Sequence, residues 1–242
     1  MQFLIMHRTN AHWEGGALPT LELIQQVGRM IGEIVQAGKL VAGEGLRPSA
    51  LGVRLQFSGG TRTIQDGPFA ESKELIAGFA ILKVKSLDDA IEWATRFAHV
   101  LGDLEIDIRP VTEGWDLGLG ERPAGLATTR YLATHKHRGR DGCAPLGAEK
   151  SAQMGELMGE MQRAGVLLSS VGLEPSARGA CLTMSNGKPL VLDGPFAESK
   201  ELLGGFVIVR AETLAEAVGW GTRYQEVVGA EQVEVRQIVE HP

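Results

Sequence analysis

Hydrophobic and polar residues alternate along the first half of the chain in a definite order of periods. Phe3 to His7 is a short apolar run of strand type, and from about Thr20 the spacing changes. Leu23, Val27, Met30, Ile31 and Ile34 recur every three or four residues, the signature of a helix with one buried stripe, and Gly38 is placed to end it. Val53 to Phe57 alternates with period two, Gly59-Gly60 follows, and Arg62 to Gln65 resumes. Both glycines tolerate the positive φ angles of a two-residue type I′ turn, so a β-hairpin ending at Asp66 is predicted. Gly78 to Val84 reads as the next strand. Ser86 with Asp89 three residues on forms a capping-box pattern ahead of a helix carrying Leu87, Ala90, Ile91, Ala94 and Phe97 on one face. Glu105 to Arg109 alternates again and closes the series.

The whole pattern then occurs a second time, with Thr213 and Glu216 as the capping-box pair and Leu214, Ala217, Val218, Gly221 and Tyr224 as the apolar face of its second helix. Asp66 to Leu75, DGPFAESKEL, returns unchanged as Asp193 to Leu202, and 13 of the 16 positions from Asp66 to Ile81 are identical at an offset of 127. The same offset aligns Gly45-Leu46-Arg47-Pro48-Ser49-Ala50 with Gly172-Leu173-Glu174-Pro175-Ser176-Ala177, Trp93 with Trp220, Arg96 with Arg223, and Arg109 with Arg236. His7 and His135 match at 128. From Leu21 to Leu40 only eight of twenty positions agree, so the copies have drifted outside the shared motifs. Residues 114–127 are rich in glycine and turn formers and show no period, which marks them as a linker. The halves are 1–113 and 128–242, each near the usual size of a single domain.

Each half reads strand, helix, strand, hairpin, strand, helix, strand: an α+β, ferredoxin-like plan with an inserted hairpin. Two helices cover one face of such a sheet. The other face needs a partner, and the tethered sister copy is the nearest one, giving an intramolecular pseudo-dimer of the dimeric α+β barrel type. Composition is ordinary for a soluble protein: 242 residues, 43% hydrophobic, 22% charged, and a net charge of −6 that disfavours nucleic acid and anionic lipid as partners. Two cysteines are too few for a disulfide framework, and no apolar run is long enough for a signal-peptide core or a membrane span. A cytoplasmic protein is expected, with further homo-oligomers left open.

The Gly-Glu-Gly-Leu-x-Pro-Ser segment, the DGPFAESKEL run, the following Gly-Phe, the tryptophan-bearing second helix and the closing Ile-Arg-Pro together resemble the YCII-related family, also called the DGPF-domain family, over nearly the whole chain and twice. The resemblance implies the α+β barrel fold, usually assembled from two single-domain chains, so this chain resembles a fused version. It implies either a small-molecule-binding protein or weak acid/base enzyme, or a regulatory, protein-interacting module associated with sigma factors. Small relatives are proposed to use a His and Asp pair with the histidine on the first helix. Here the aspartates are Asp66 and Asp193, but the helix positions hold Gln26 and Gln153.

Candidate chemistry follows from these positions. Asp66 and Asp193, before Gly-Pro at a strand end, are either turn formers accepting backbone N–H bonds or partly buried general bases. His7 and His135, near the ends of the first strands, are candidate catalytic partners or hydrogen-bonded structural residues. Phe69, Phe196, Ser72, Ser199, Lys73 and Lys200 in the shared motif are candidate ligand contacts. Trp93 and Trp220 either cap the core edge or wall a ligand site. His135-Lys136-His137 supplies two imidazoles without a third ligand, and no nucleotide, zinc or nucleophile-elbow motif occurs, so no cofactor or metal is expected. The expected partner is a small molecule, one pocket per copy.

Overall fold

The computed structural model describes residues 1–70, 74–137, 139, 141–143, 145–185, 188–195 and 202–240. In chain order the first repeat gives β1 (Gln2–Arg8), α1 (Ala11–Glu14), α2 (Leu21–Gln36), β2 (Leu40–Gly45), β3 (Val53–Ser58), β4 (Thr61–Asp66), β5 (Ile76–Val84), α3 (Leu87–Leu101) and β6 (Leu104–Pro110). The second gives β7 (Thr129–Lys136), α4 (Ala148–Arg163), β8 (Leu167–Gly172), β9 (Gly179–Ser185), β10 (Lys188–Asp193), β11 (Leu203–Arg210), α5 (Leu214–Val228) and β12 (Gln232–Gln237).

Local chemistry sets the boundaries. The Thr20 hydroxyl accepts the Leu23 N–H to start α2, and Gly38, at φ +67°, follows its end. Ser86 and Asp89 exchange reciprocal bonds at the head of α3. At α5 the Thr213 hydroxyl accepts from Glu216 N–H while the Glu216 carboxylate reaches back one residue further, to the Glu212 N–H. Gly59 and Gly60, at φ +56° and +78°, turn the β3–β4 hairpin as predicted; the equivalent Asn186-Gly187 lies outside the described residues. The four-residue α1 is not in the sequence prediction. Asn10 starts it by accepting the His12 and Trp13 N–H groups, and a single turn is too short to show a hydrophobic period.

The strands form two six-stranded sheets with every pairing antiparallel, ordered β10-β9-β12-β1-β11-β2 and β4-β3-β6-β7-β5-β8. Each sheet takes strands from both repeats. β1 and β2 of the first repeat pair with β11 and β12 of the second, and β7 and β8 of the second pair with β5 and β6 of the first. One compact unit is therefore Met1–Leu46 with the chain from Leu173 onward, and the other is Arg47–Ala70 with Glu74–Gly172. Sequence repeat and compact unit are different objects. The crossings fall at Leu46–Arg47 and Gly172–Leu173, inside the repeated Gly-Leu-x-Pro-Ser segments.

Each unit has its own core under two helices. Phe3, Ile5, Val207, Val209, Val233 and Val235 pack with Met30 and Ile34 of α2 and Tyr224 of α5. In the other unit Leu55, Leu82, Ile106, Ile108 and Tyr131 pack with Ala90 and Ala94 of α3 and Leu157 and Met161 of α4. The stretch 114–127, whose composition suggests a tether between domains, joins β6 to β7, two neighbours in one sheet paired from Glu105↔Lys136 to Pro110↔Tyr131. It begins with a 3-10 turn, Gly114–Leu117, and Glu113 before it holds Arg130 at 2.7 Å. Composition identifies a connection, but carries nothing about which strands its ends will pair.

Candidate functional site

The shared DGPF segment is a tightly crossed turn. Gly67 N–H donates to the Gly52 carbonyl at 3.0 Å, and the Gly67–Pro68 and Gly194–Pro195 peptides are cis. A Cβ on Gly67 would lie 1.8 Å from the Ser49 carbonyl oxygen, and one on Gly194 would lie 1.8 Å from that of Ser176. The two best-retained segments of each repeat thus touch, and only glycine fits the crossing. Phe69 is buried, and the Arg54 guanidinium sits 4.5 Å from its ring centroid while donating to the Ala70 carbonyl at 2.8 Å. Asp66 and Asp193, by contrast, are exposed at the ends of edge strands. The partly buried carboxylate expected at this position is corrected: both carboxylates are exposed, and what the turn buries is Phe69 beside the glycine crossing. Phe196, Ser72, Ser199, Lys73 and Lys200 lie outside the described residues.

Nor does the fold bring the aspartates to the histidines. β4, which ends at Asp66, is three strands from β7, which carries His135, and β10, which ends at Asp193, is three strands from β1 with His7. At about 4.8 Å per strand that is roughly 14 Å, beyond any direct proton transfer. The expected Asp and His pairing is absent in both units.

His7 instead meets a residue the sequence reading placed only in the core. Its Nδ1 lies 2.8 Å from the Tyr224 hydroxyl, on α5, with the rings tilted at 56°. The two groups share one hydrogen bond whose direction follows the imidazole tautomer: a phenol that donates to Nδ1 leaves the ring proton on Nε2. Burial pushes the His7 imidazole down to about 4 and raises the Tyr224 phenol well above its ordinary range, so both are neutral at pH 7. The Nε2 edge lies against Gly204 and Gly205: Cβ atoms there would come within 2.6 Å of Nε2 and 3.0 Å of Cε1 respectively. The ring edge packs directly on the backbone of these two consecutive glycines, where no side chain would fit.

The twin site keeps one of these glycines, Gly78 in place of Gly205, where a Cβ would lie 2.6 Å from His135 Cε1, and differs at the other points. Phe97 stands where Tyr224 does, 5.1 Å from His135 between ring centroids, and offers no hydroxyl. Ala77 replaces Gly204. The Cys143 thiol donates to the Ala77 carbonyl at 3.2 Å and lies 3.8 Å from His135 Nε2. His135 is buried and its imidazole is pushed down to about 3, by burial first and by His137 second. The Phe97-to-Tyr224 exchange, next to the Trp, Thr and Arg that the two helices share, is the visible signal for this divergence.

On the sheet face away from the helices, the unit containing His135 carries a buried ionic cluster. Arg54 donates two bonds to Asp107, at 2.6 and 3.0 Å, and Lys136 reaches Asp107 at 2.6 Å and Glu105 at 3.0 Å. Burial alone would raise the Asp107 carboxyl, but Lys136 and Arg54 outweigh it and hold it below the usual range. In the other unit Cys181, Glu234 and Arg8 occupy the matching positions. Arg8 approaches Glu234 only to 3.7 Å, and burial with Glu234 pushes the Cys181 thiol up to about 11. Glu234 also lies 3.8 Å from Arg236, so the matching positions hold a differently composed set of charges.

The remaining candidates lie on helices. Gln26 donates to Glu22 on its own helix at 3.3 Å, and Gln153 is exposed in a shallow groove between α3 and α4 with Arg96, His99, Glu156 and Glu160. Trp93 and Trp220 pack half-buried against the two cores beneath Arg96 and Arg223, 4.5 and 5.1 Å from their rings. Those arginines pair with Glu160 and Glu33, so each lashes a helix of one repeat to a helix of the other. Both tryptophans thus sit at the edge of a core. Arg109 and Arg236 are buried, and each donates to the carbonyl of Arg47 or Glu174 at the crossing segment.

Comparison with known sequences agrees with the internal duplication. The model of the YCII-related domain matches twice, over residues 1–112 and 129–241. An uncharacterized protein of Rhizobium meliloti (strain 1021) is 42% identical over 60 residues, which are 25% of this chain and 48% of that protein. The chain thus spans about half the length of that relative. No solved structure matches the chain.

Proposed function

The chain belongs to the YCII-related family, and from that premise we propose that it binds a small organic molecule bearing a carbonyl or carboxylate acceptor, at His7 in the first compact unit. The observation that carries this reading is the anchored ring. Tyr224 fixes Nδ1; with its hydroxyl as the donor the ring proton lies on Nε2, an edge that packs on the side-chain-free backbone of Gly204 and Gly205 and has no acceptor among the described residues. A neutral imidazole held this way presents one oriented donor, which is how apolar pockets fix the orientation of a polar ligand. The strand order β12-β1-β11-β2 with two helices on one face supports a ferredoxin-like frame for such a pocket.

The twin position does not share this capacity, since Cys143 and Ala77 fill the space beside His135. One site per chain follows, rather than one per repeat. Ligand-observed NMR against a panel of small carboxylic acids and ketones tests it: binders are lost in His7→Phe and kept in His135→Phe. A panel whose binders are indifferent to His7→Phe overturns the reading.

A further inference from the structure

The outer strand of the second hairpin departs from its twin at the positions that face solvent. β4 reads Thr61-Arg62-Thr63-Ile64-Gln65-Asp66, and β10 reads Lys188-Pro189-Leu190-Val191-Leu192-Asp193 at matching places. Among the described residues both are edge strands, each paired on one side only. Leu190, Val191 and Leu192 are 47%, 45% and 47% exposed, and Met184, opposite Pro189 on β9, is 44% exposed. Thr63 and Gln65 show that the hairpin folds with polar residues where Leu190 and Leu192 stand. An exposed apolar edge with open backbone groups is a template for another strand.

We propose that β10 pairs antiparallel with β10 of a second copy of this chain, about a two-fold axis through Val191, so that the protein forms a homodimer by edge-to-edge sheet extension. The register supports a self-complementary contact. Ser185 and Lys188 pair across a two-residue connection, which makes them a hydrogen-bonded pair and turns the backbone groups of Pro189, Val191 and Asp193 outward. Centred on Val191, the dimer gains two reciprocal bonds between Val191 and the partner's Val191. It gains two more from each Asp193 N–H to the carbonyl of the partner's Pro189. Pro189 lacks one outward donor and costs only that bond. Leu190 then lies opposite the partner's Leu192 on one sheet face.

A single strand pair buries on the order of 800 Å² in total, below the standard interface, so association is weak, with a Kd on the order of 1–100 µM. Sedimentation velocity of the full chain across that range shows a reversible monomer–dimer equilibrium. Hydrogen exchange shows the Val191 and Asp193 amides becoming protected as concentration rises. Leu190→Thr with Leu192→Gln, the residues the first repeat uses, weakens the dimer at least tenfold while the circular dichroism melt is retained. A chain that stays monomeric throughout, leaving the edge to some other partner, overturns the proposal. So does a dimer in which the Val191 amide gains no protection.

Discussion

Two imidazoles are held neutral by burial, His7 near pKa 4 and His135 near 3, against about 6.5 for an ordinary histidine. The unfolded chain takes up these protons as pH falls through 6.5 and the folded chain does not, so stability is complete above that value and declines below it. For the buried His135 the loss is on the order of 2 kcal/mol by pH 5. Urea midpoints at pH 7.5 and pH 5 therefore separate in the native chain and draw together in the His7→Phe, His135→Phe double variant. Equal midpoints in the native chain contradict the assignment. At this scale the sequence named both histidines but paired them with the wrong residues. Asp66 and Asp193 looked chemical because they recur, yet they recur as neighbours of a glycine that cannot change. Tyr224 looked structural because it sits on the apolar stripe of α5, and only its hydroxyl distinguishes it from Phe97.

The turn that carries Gly67 and the Ser49 segment form one local element in each unit, repeated at Gly194 and Ser176. Backbone contact of this kind leaves no room for a methyl group, so Gly67→Ala displaces the whole crossing and its Phe69 anchor. A loss of about 2–4 kcal/mol is expected from chemical denaturation, against a change within about 1 kcal/mol for the exposed Asp66→Asn. A Gly67→Ala chain as stable as the native one contradicts the account of the motif. Elements of regular structure were legible because strand alternation, helical stripes and the caps at Thr20, Ser86 and Thr213 all act over a few residues. The contact between Gly67 and Ser49 was not, since it joins positions 18 residues apart that no local period relates.

At the scale of the molecule, duplication makes the pairing degenerate in sequence terms. β5 and β11 share Gly-Phe and the same alternation, so either satisfies β1 equally well by pattern, and composition marks 114–127 as a connection whichever pairing is chosen. What the fold adds is the exchange: β1 lies between β11 and β12, and β7 between β5 and β6. That exchange explains why the Gly-Leu-x-Pro-Ser segments are retained, because both crossings between units run through them and Arg109 and Arg236 clasp their carbonyls. It also lets the two sites diverge, since each draws its histidine strand from one repeat and its facing helix from the other. The most direct test is a map of cross-strand amide NOEs on the isotope-labelled full chain. The interleaved fold predicts contacts between Ile5 and Val207, its partner on β11. Contacts between Ile5 and Ala80 instead, closing β1 onto β5 of its own repeat, contradict it.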